Sequence, residues 1–469
     1  MMGVNEKQTE LWVEPVNLAR RVPEDHFLRK LNRVLDLSFV RHETASFYGK
    51  KGNVSVDPVV IMKMMLLLFL DNVKSERELM RVIPLRIDYL WYLGYGLEDE
   101  IPNHSVLSKA RKRWGVSVFE KLFKQTIVQC LEAGLVDGSK LHVDASLIRA
   151  NASKNSVIEI AAQEVLAKLE EEPAPKRRPS GSVNQNRRST TDPESTLVRH
   201  GMGKSEPSYK NHRGIDDKSG VITAMKTTTG AVSEAHELVD LTEEHEKNVG
   251  VEVKVVVADS LYGTTENFTM LGDMGIVTHM GDLRSRQRNH HREGIFDQSA
   301  FKYDRKYDCY TCPAGQTLTY SGSDYIRGYN EYTPGKGVCA GCHLRPQCTR
   351  SKEGRTINRY PLQKVLDRAR KQSASKRGIE DRKRRQHFQE RNFADAANHH
   401  GFKRSRWRGL WRQSLQDYLI AALQNLRLLI RAGSGDACGL LAAVCTALIA
   451  WWALAMPQSN EESPYAFNT

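Results

Sequence analysis

Three acidic residues stand in neighbourhoods that suit metal chemistry. Asp144 lies in LHVDAS, Asp259 in VKVVVADSLYG and Glu390 in QERNFADAANHHGF. The two aspartates follow short apolar runs typical of buried strands, and Glu390 lies in a polar stretch of helical character. Carboxylates supplied by strand ends and a helix can hold two divalent ions, which clamp the attacking and leaving oxygens of a displacement at phosphorus. The sequence therefore predicts a metal-dependent enzyme that acts on phosphodiesters.

The elements that position these carboxylates fall into two parts. Residues 10–135 have a helical pattern, in which Asp57 is an expected N-cap before Pro58 and Ser75 begins another helix. Beyond them, strands and helices alternate, which predicts an α/β sheet covered by helices. Asp259 follows a buried strand at its carboxyl end, where α/β folds place their ligands.

Two stretches interrupt this alternation. We expect a helix over residues 152–170. Residues 171–195 lose apolar side chains and gain Pro, Ser, Arg and Asn, which predicts a flexible insertion.

The charge of the chain favours a polyanionic partner. Its 69 Lys and Arg exceed its 56 Asp and Glu, for a net charge of +13, and DNA or RNA is the commonest polyanion. A short predicted helix within residues 102–115 carries Lys109, Arg111, Lys112 and Arg113. It suits a helix-turn-helix-like DNA contact or, alternatively, the solvated face of a helical bundle. Lys210, in YKNHRG, suits either a contact with the DNA backbone or a solvated basic turn.

The cysteines form a second pattern. Five of the eight lie within forty residues, as Cys309, Cys312, Cys339, Cys342 and Cys348. Two CxxC pairs in a reducing compartment predict a tetrahedral structural zinc, and the alternative is reduced thiols without a ligand. Four ligands suffice, so Cys348 is either spare or replaces one of the others.

The ends of the chain bear on where it acts. The first residues lack the apolar core of a signal peptide, so we expect a cytoplasmic protein associated with the nucleoid. Residues 437–456 carry no charge and are long enough to span a bilayer. We interpret them as a buried helix, an oligomer contact or an appended tail rather than a membrane anchor.

Several ordered blocks of the chain resemble the DDE transposases of bacterial insertion sequences. They include VPEDHFLRKLNRVLDLSFV, VDASLIRANASK, VVVADSLYG and ERNFADAANHHGFKRSRWRG, and the resemblance covers roughly residues 15–430. It implies an α/β fold: a ribonuclease H-like catalytic domain with an all-α N-terminal domain and an inserted Cys-rich, zinc-ribbon-like module. The implied bounds are 1–135 (helical, DNA-binding), 136–299 and 356–432 (catalytic), 300–355 (zinc-binding) and 433–469 (apolar tail).

The resemblance carries over residue by residue. It places the catalytic, Mg²⁺-binding carboxylates on Asp144, Asp259 and Glu390, and its basic DNA-binding run falls on Arg404, Arg406 and Arg408. Ala397 stands where the family commonly has Lys or Arg.

The implied activity is cleavage and joining of double-stranded DNA at the element's ends with two Mg²⁺ or Mn²⁺ ions, by a homo-oligomer with no small-molecule substrate. The rival functions are a catalytically inactive or repurposed DNA-binding protein and a ribonuclease H-like nuclease. A membrane-attached role ranks third.

Overall fold

The computed structural model describes residues 16–49, 55–159, 184, 187–199, 203–283, 294–325, 328–360 and 362–433. The chain forms two compact units, one from Met1–Val136 with Tyr418–Thr469 and the other from Asp137–Asp417. The apolar stretch 437–456, Cys438 and Cys445 lie outside the described residues.

The first unit is helical throughout its described residues. Its helices before the first strand are α1 (Leu18–Arg21), α2 (Phe27–Val34), α3 (Ser38–Thr44), α4 (Pro58–Leu70), α5 (Glu76–Val82), α6 (Ile87–Leu93), α7 (Ser105–Trp114) and α8 (Ser117–Glu132). The predicted N-caps are confirmed: Asp57 accepts a hydrogen bond from the Val59 amide, and Ser75 accepts one from the Glu78 amide. Helix α4 is buried on nearly every side, because its residues from Ile61 onward are apolar but for one lysine.

The second unit is built on a mixed sheet. Its strands are β1 (Lys140–Arg149), β4 (Thr196–Arg199), β5 (Ser205–Asp216), β6 (Ile222–Thr229), β7 (Val255–Val257) and β8 (Val277–Thr278). The order is β4-β5-β1-β7-β8, and β6 also pairs with β5. Strand β5 is antiparallel to both β1 and β6, whereas β1, β7 and β8 are parallel. Strands β1 and β6 therefore point the same way, which brings their carboxyl ends to one edge.

Helices pack on this sheet as the alternating pattern predicts, and the mixed α/β class is confirmed. They are α9 (Leu238–Val249), α10 (Thr265–Asp273), α12 (Gln363–Ala374), α13 (Lys376–His400) and the first part of α14 (Leu410–Gly433). Residues of β1, β7, α9, α10 and α12 share one apolar core, in which Leu141, Val256, Leu241, Leu271 and Leu366 are fully buried. This core fixes the strand that carries Asp144 and the strand that precedes Asp259.

A second, five-stranded sheet occupies residues 302–359. Its strands are β9 (Lys302–Asp304), β10 (Cys309–Thr311), β11 (Thr317–Asp324), β12 (Tyr329–Pro334) and β13 (Ile357–Arg359), in the order β13-β12-β11-β10-β9. It encloses a small core of Phe301, Tyr310, Leu318, Tyr332 and Ile357. The short helix α11 (Arg345–Cys348) lies between β12 and β13 in the chain.

Two predictions about residues 152–195 are wrong where the structure describes them. Val157–Glu159 is a strand (β2) rather than part of a helix, and it pairs with β3 (Arg187–Ser189) inside the segment expected to be flexible. The buried Asp192 beyond β3 accepts a hydrogen bond from the Tyr209 hydroxyl at 2.6 Å. Polar composition misled the prediction because these side chains bond to the sheet rather than to water.

Across the described residues, the structure contains no helix that is both long and apolar enough to cross a membrane.

Candidate active site

Asp144 and Asp259 lie on neighbouring parallel strands. In the register of β1 and β7, His142 is the partner of Val257, and each aspartate lies two residues beyond that pair. The charge of Asp259 acts on the Asp144 carboxyl and helps to raise its pKa. The structure thus brings the two predicted aspartates together. Strand β1, however, continues to Arg149, so Asp144 lies within the strand and not at its end.

Each aspartate has hydrogen-bond partners. Arg385 donates to Asp144 Oδ2 at 2.7 Å, and the Ala145 amide donates to Oδ1 at 2.8 Å. Asp259 accepts from the Ser260 hydroxyl at 2.8 Å and from the Leu261 amide at 3.2 Å. Burial is the largest cause of the raised pKa of Asp144, and Arg385 opposes it. The aspartates are therefore held in place, with Asp144 paired to a cation.

Glu390 lies on α13, which crosses β1. The helix begins at the N-cap Ser375 and ends at Gly401, whose φ of 65° belongs to the left-handed region that favours glycine. The Gln389 amide donates to the His142 carbonyl at 2.9 Å and ties the helix to β1.

The structure does not bring Glu390 into the aspartate pair. Its side chain is exposed and accepts a hydrogen bond from Gln386 at 2.9 Å. No three His, Cys, Asp or Glu side chains within the described ranges stand close enough together to hold a metal ion. Glu390 is therefore carried by a helix that packs on β1, and the three carboxylates do not form a metal site in the structure.

A buried arginine fixes α13 against the sheet. Arg213 on β5 is the register partner of Asp144 and is fully buried. Its guanidinium lies 4.9 Å from the Phe393 ring centroid and 4.6 Å from that of Phe402, and it donates to the Asn392 side chain at 2.5 Å. Burial lowers the pKa of Arg213 to about 10. Because Asn392 and Phe393 lie two and three residues after Glu390 on the helix, Arg213 fixes the segment that carries that carboxylate.

The two expectations for Lys210 are both wrong. YKNHRG belongs to strand β5 and is buried, so Lys210 is neither in a solvated turn nor open to DNA. Its Nζ donates to the Val232 carbonyl at 2.9 Å and lies 3.4 Å from Glu234 Oε1. Buried and exposed side chains do not alternate along this central strand, because both of its faces are covered.

Glu234 is a carboxylate of the site that sequence reasoning missed. Burial raises its pKa, Lys210 opposes the shift, and the charges of Asp144 and Asp259 raise it further. Glu234 follows β6, which runs in the same direction as β1. Glu234 comes near Asp144 because β6 and β1 run in the same direction. That shared direction is known only from the pairing of the strands.

A cleft beside Ala145, the residue after Asp144, contains several exposed basic side chains. It is lined by Arg149, Lys154, Lys403 and Arg404 as well as by Ala145, Glu206 and Glu234. Lys403 donates to the Ser146 hydroxyl at 2.6 Å, and the Arg149 amide donates to the Lys403 carbonyl at 3.0 Å. These bonds attach the basic run after α13 directly to β1.

The other predicted DNA-binding residues differ in exposure. Arg404 and Arg408 are exposed and Arg406 is half-buried. In α7, Lys109, Lys112 and Arg113 are exposed. The prediction is wrong for Arg111, which is 3% exposed and forms an ion pair with Glu76. Arg111 lies on the same stripe of α7 as Leu107 and Trp114, and that stripe faces the core.

Four of the five clustered cysteines face one small cavity. Cys312, Cys339, Cys342 and Cys348 line a space of about 20 Å³, enough for roughly one water-sized sphere. Cys309 does not line it: it is paired with Thr319 in the sheet, next to the buried Tyr310. Burial raises the pKa of the Cys348 thiol, and the charges of the other three cysteines raise it further. The structure therefore places Cys348, not Cys309, with the other three.

Two family models match the chain. Residues 16–113 match a transposase domain (DUF772), and residues 311–430, a range that contains Glu390 and the four cysteines of the cavity but not Cys309, match a transposase DDE domain. The chain belongs to the DDE transposases of the insertion-sequence type. The resemblance found in the sequence is thereby confirmed.

Two solved structures are distantly similar to this transposase. The piggyBac transposase synaptic complex with hairpin DNA has 11% identity and a TM-score of 0.35, with 92% of this chain and 82% of that chain covered. The Mos1 transposase paired-end complex with left transposon end has 9% identity and a TM-score of 0.16, with coverages of 51% and 64%. No curated protein matches the chain.

Proposed function

We propose that this transposase binds the terminal inverted repeats of its own element and cleaves and joins DNA at the site formed by Asp144, Asp259 and Glu390. The observation that carries the proposal is the placement of Asp144 and Asp259 side by side on parallel strands, beneath the helix that bears Glu390. Membership of the DDE transposases adds the expectation of divalent metal ions.

The sheet supports a ribonuclease H-like architecture for the catalytic unit. Strands β6, β5 and β1 form an antiparallel run, and β7 and β8 extend it in parallel with β1. The acidic residues emerge from β1 and from the end of β7, and a long helix packs across β1. This arrangement supplies two carboxylates from the sheet and a third from a helix, as the proposed chemistry requires.

Carboxylates are suitable ligands for divalent cations, although these three do not stand close enough together in the structure to coordinate an ion. Asp144 and Asp259 would hold such ions with Glu390, whose exposed side chain is available to a ligand that enters from solvent. When bound, Mg²⁺ or Mn²⁺ activates the attacking oxygen and neutralises charge that develops on the phosphate.

The protein's own cations have defined tasks in this proposal. Arg385 orients the Asp144 carboxylate, and the hydrogen bond from Gln389 to the His142 carbonyl holds α13 against β1. Lys403, Arg404 and Arg149 present positive charge along the cleft that opens beside Ala145. Phosphate contacts of this kind position a DNA strand without reading its sequence. Recognition of the repeats is assigned to Lys109, Lys112 and Arg113, and synapsis of two ends calls for at least two copies of the chain.

The test combines duplexes that carry the element's ends with purified full-length protein and Mg²⁺ or Mn²⁺. Asp144→Asn and Glu390→Gln should abolish cleavage and joining while end binding persists, because the basic residues are untouched. Glu380→Gln is the matched control: Glu380 is exposed on the same helix, and its loss should leave cleavage intact.

Three outcomes would contradict the proposal. Retained cleavage by Glu390→Gln removes that residue from the site. Metal-dependent cutting without preference for the ends, and without joining, indicates a nuclease. Binding of the ends by the wild-type protein without any cleavage indicates a DNA-binding protein that has lost catalysis.

We also propose that Cys312, Cys339, Cys342 and Cys348 hold a structural zinc. Their convergence on one small apolar cavity supports this, although the thiols do not stand at coordination distance in the structure. Cys348→Ser should lower the zinc content of the purified protein below one per chain and destabilise the five-stranded sheet. Cys309→Ser is the matched control and should keep the zinc. Equal zinc content in both variants would contradict the assignment.

A further inference from the structure

We propose that Glu234 is a further carboxylate of the catalytic site and holds a divalent cation together with Asp144 and Asp259. The inference rests on the proposed function of this site and adds a residue outside the Asp–Asp–Glu set.

The backbone places Glu234 beside the turn that carries Asp259. Glu234 begins a 3-10 turn, Glu234–Glu237, and Asp259 is the N-cap of another, Ser260–Tyr262. The buried Asn267 joins the two turns, because its amide donates to the Ala235 carbonyl at 2.8 Å and to the Tyr262 carbonyl at 2.9 Å. The Asn267 side chain therefore ties the residue after Glu234 to the turn that Asp259 caps.

Glu234 also reaches the Asp144 side of the site. It lines the same cleft as Ala145, the residue that follows Asp144. Its side chain is 19% exposed, so it is accessible from the cleft without being solvated like a surface glutamate. Carboxylates from three separate chain segments thus act on one another electrostatically, although they do not stand at coordination distance in the structure. A divalent cation drawn between them would offset their repulsion.

A buried hydroxyl independently points to a missing ligand. Tyr262 is fully buried, and its hydroxyl has no hydrogen-bond partner among the described residues. This hydroxyl lies near enough to Glu234, Asp144 and Asp259 for their charges to act on it, with Arg385 acting in the opposite sense. Buried hydroxyls are normally hydrogen-bonded. A hydrated cation or a phosphate oxygen held by the carboxylates would supply that partner.

The ion pair with Lys210 is compatible with a ligand role. Lys210 Nζ approaches Glu234 only to 3.4 Å but donates to the Val232 carbonyl at 2.9 Å. Lys210 therefore keeps a hydrogen-bond acceptor when Glu234 turns toward a cation. Arg385 donates to Asp144 Oδ2 at 2.7 Å. Two protein cations thus balance part of the charge of three carboxylates, and the remainder attracts an ion.

The experiment measures Mn²⁺ binding to the full-length protein by electron paramagnetic resonance, independently of DNA cleavage. Glu234→Gln should weaken Mn²⁺ binding by about tenfold or more, the scale on which even supporting groups affect metal sites. Glu266→Gln, an exposed glutamate on the neighbouring α10, should leave it unchanged. Lys210→Met should preserve or strengthen binding because it removes a competing cation. Circular dichroism verifies that each variant is folded.

The outcomes separate this inference from the proposed function. Equal Mn²⁺ affinity in the wild type and Glu234→Gln overturns the inference, as does equal weakening by Glu234→Gln and Lys210→Met, which indicates a structural ion pair. A wild-type protein that binds no Mn²⁺ also overturns it. Glu234-dependent Mn²⁺ binding in a protein that cuts no DNA supports the inference and contradicts the proposed function.

Discussion

Replacing Arg213 by methionine should both destabilise the catalytic unit and displace Glu390. The Arg213 guanidinium donates to Asn211 at 2.6 Å and to Asn392 at 2.5 Å, and it packs between two phenylalanine rings. Each hydrogen bond from a charged donor contributes about 1.5–3 kcal/mol. Methionine keeps apolar packing but leaves both amide oxygens without this donor. Removing one partner from a buried charged network costs about 3–5 kcal/mol, which we expect here.

The effect can be measured by urea unfolding followed by circular dichroism. With a slope of about 3 kcal/mol per molar urea, the expected loss lowers the unfolding midpoint by roughly 1 M. Arg213→Lys keeps the charge but cannot bond both asparagines in the same geometry, so its midpoint should fall between those of the wild type and Arg213→Met. Native-state hydrogen exchange should show faster exchange in α13.

Arg391→Met is the control, since Arg391 is exposed on the same helix. A substitution at such a surface position usually changes the free energy of unfolding by less than about 0.5 kcal/mol. Equal midpoints for Arg213→Met and Arg391→Met would refute the argument that Arg213 fixes the helix. A wild-type midpoint in Arg213→Lys would show that the charge matters and the guanidinium geometry does not.

Two further predictions concern buried groups of the same unit. Burial raises the pKa of Asp417 to about 7. Between about pH 4 and pH 7 this carboxyl is ionised in the unfolded chain but protonated in the folded protein, so the folded state loses stability as the pH rises. Asp417→Asn should therefore gain in melting temperature relative to the wild type as the pH increases through that range, and a pH-independent difference would contradict the assignment. Tyr262→Phe removes a buried hydroxyl that lacks a partner and should stabilise the protein in EDTA by about 1–3 kcal/mol. Thermal denaturation of Tyr262→Phe in EDTA checks this, and a destabilised variant would show that the hydroxyl is satisfied.

Local signals predicted the elements well where chain chemistry alone decides them. Asp57 before Pro58 fixes the start of α4 and Ser75 fixes the start of α5, because caps depend on neighbouring residues. The same local reasoning failed for Arg111 and Lys210. Basic side chains suggested a DNA contact, but each is buried against a carboxylate that lies elsewhere in the chain.

The site was predictable in part for the same reason. Apolar runs marked the strands before Asp144 and Asp259, and the resemblance identified Glu390. Glu234 was missed because its proximity depends on β6 running in the same direction as β1, a result of strand pairing. Likewise, the spacing of the cysteines indicated a cluster, whereas the sheet register excluded Cys309 from it.

The sequence by itself determined the family, the α/β class and the pair of aspartates, since each is encoded by residues adjacent in the chain. Tertiary structure decided which charges are paired. Arg385 with Asp144, Lys210 with Glu234 and the Arg213 clamp join segments whose separation in the chain carries no information about distance. The physical reason is that electrostatic and hydrogen-bond energies depend on separations of a few ångströms. Packing of the sheet and helices sets those separations.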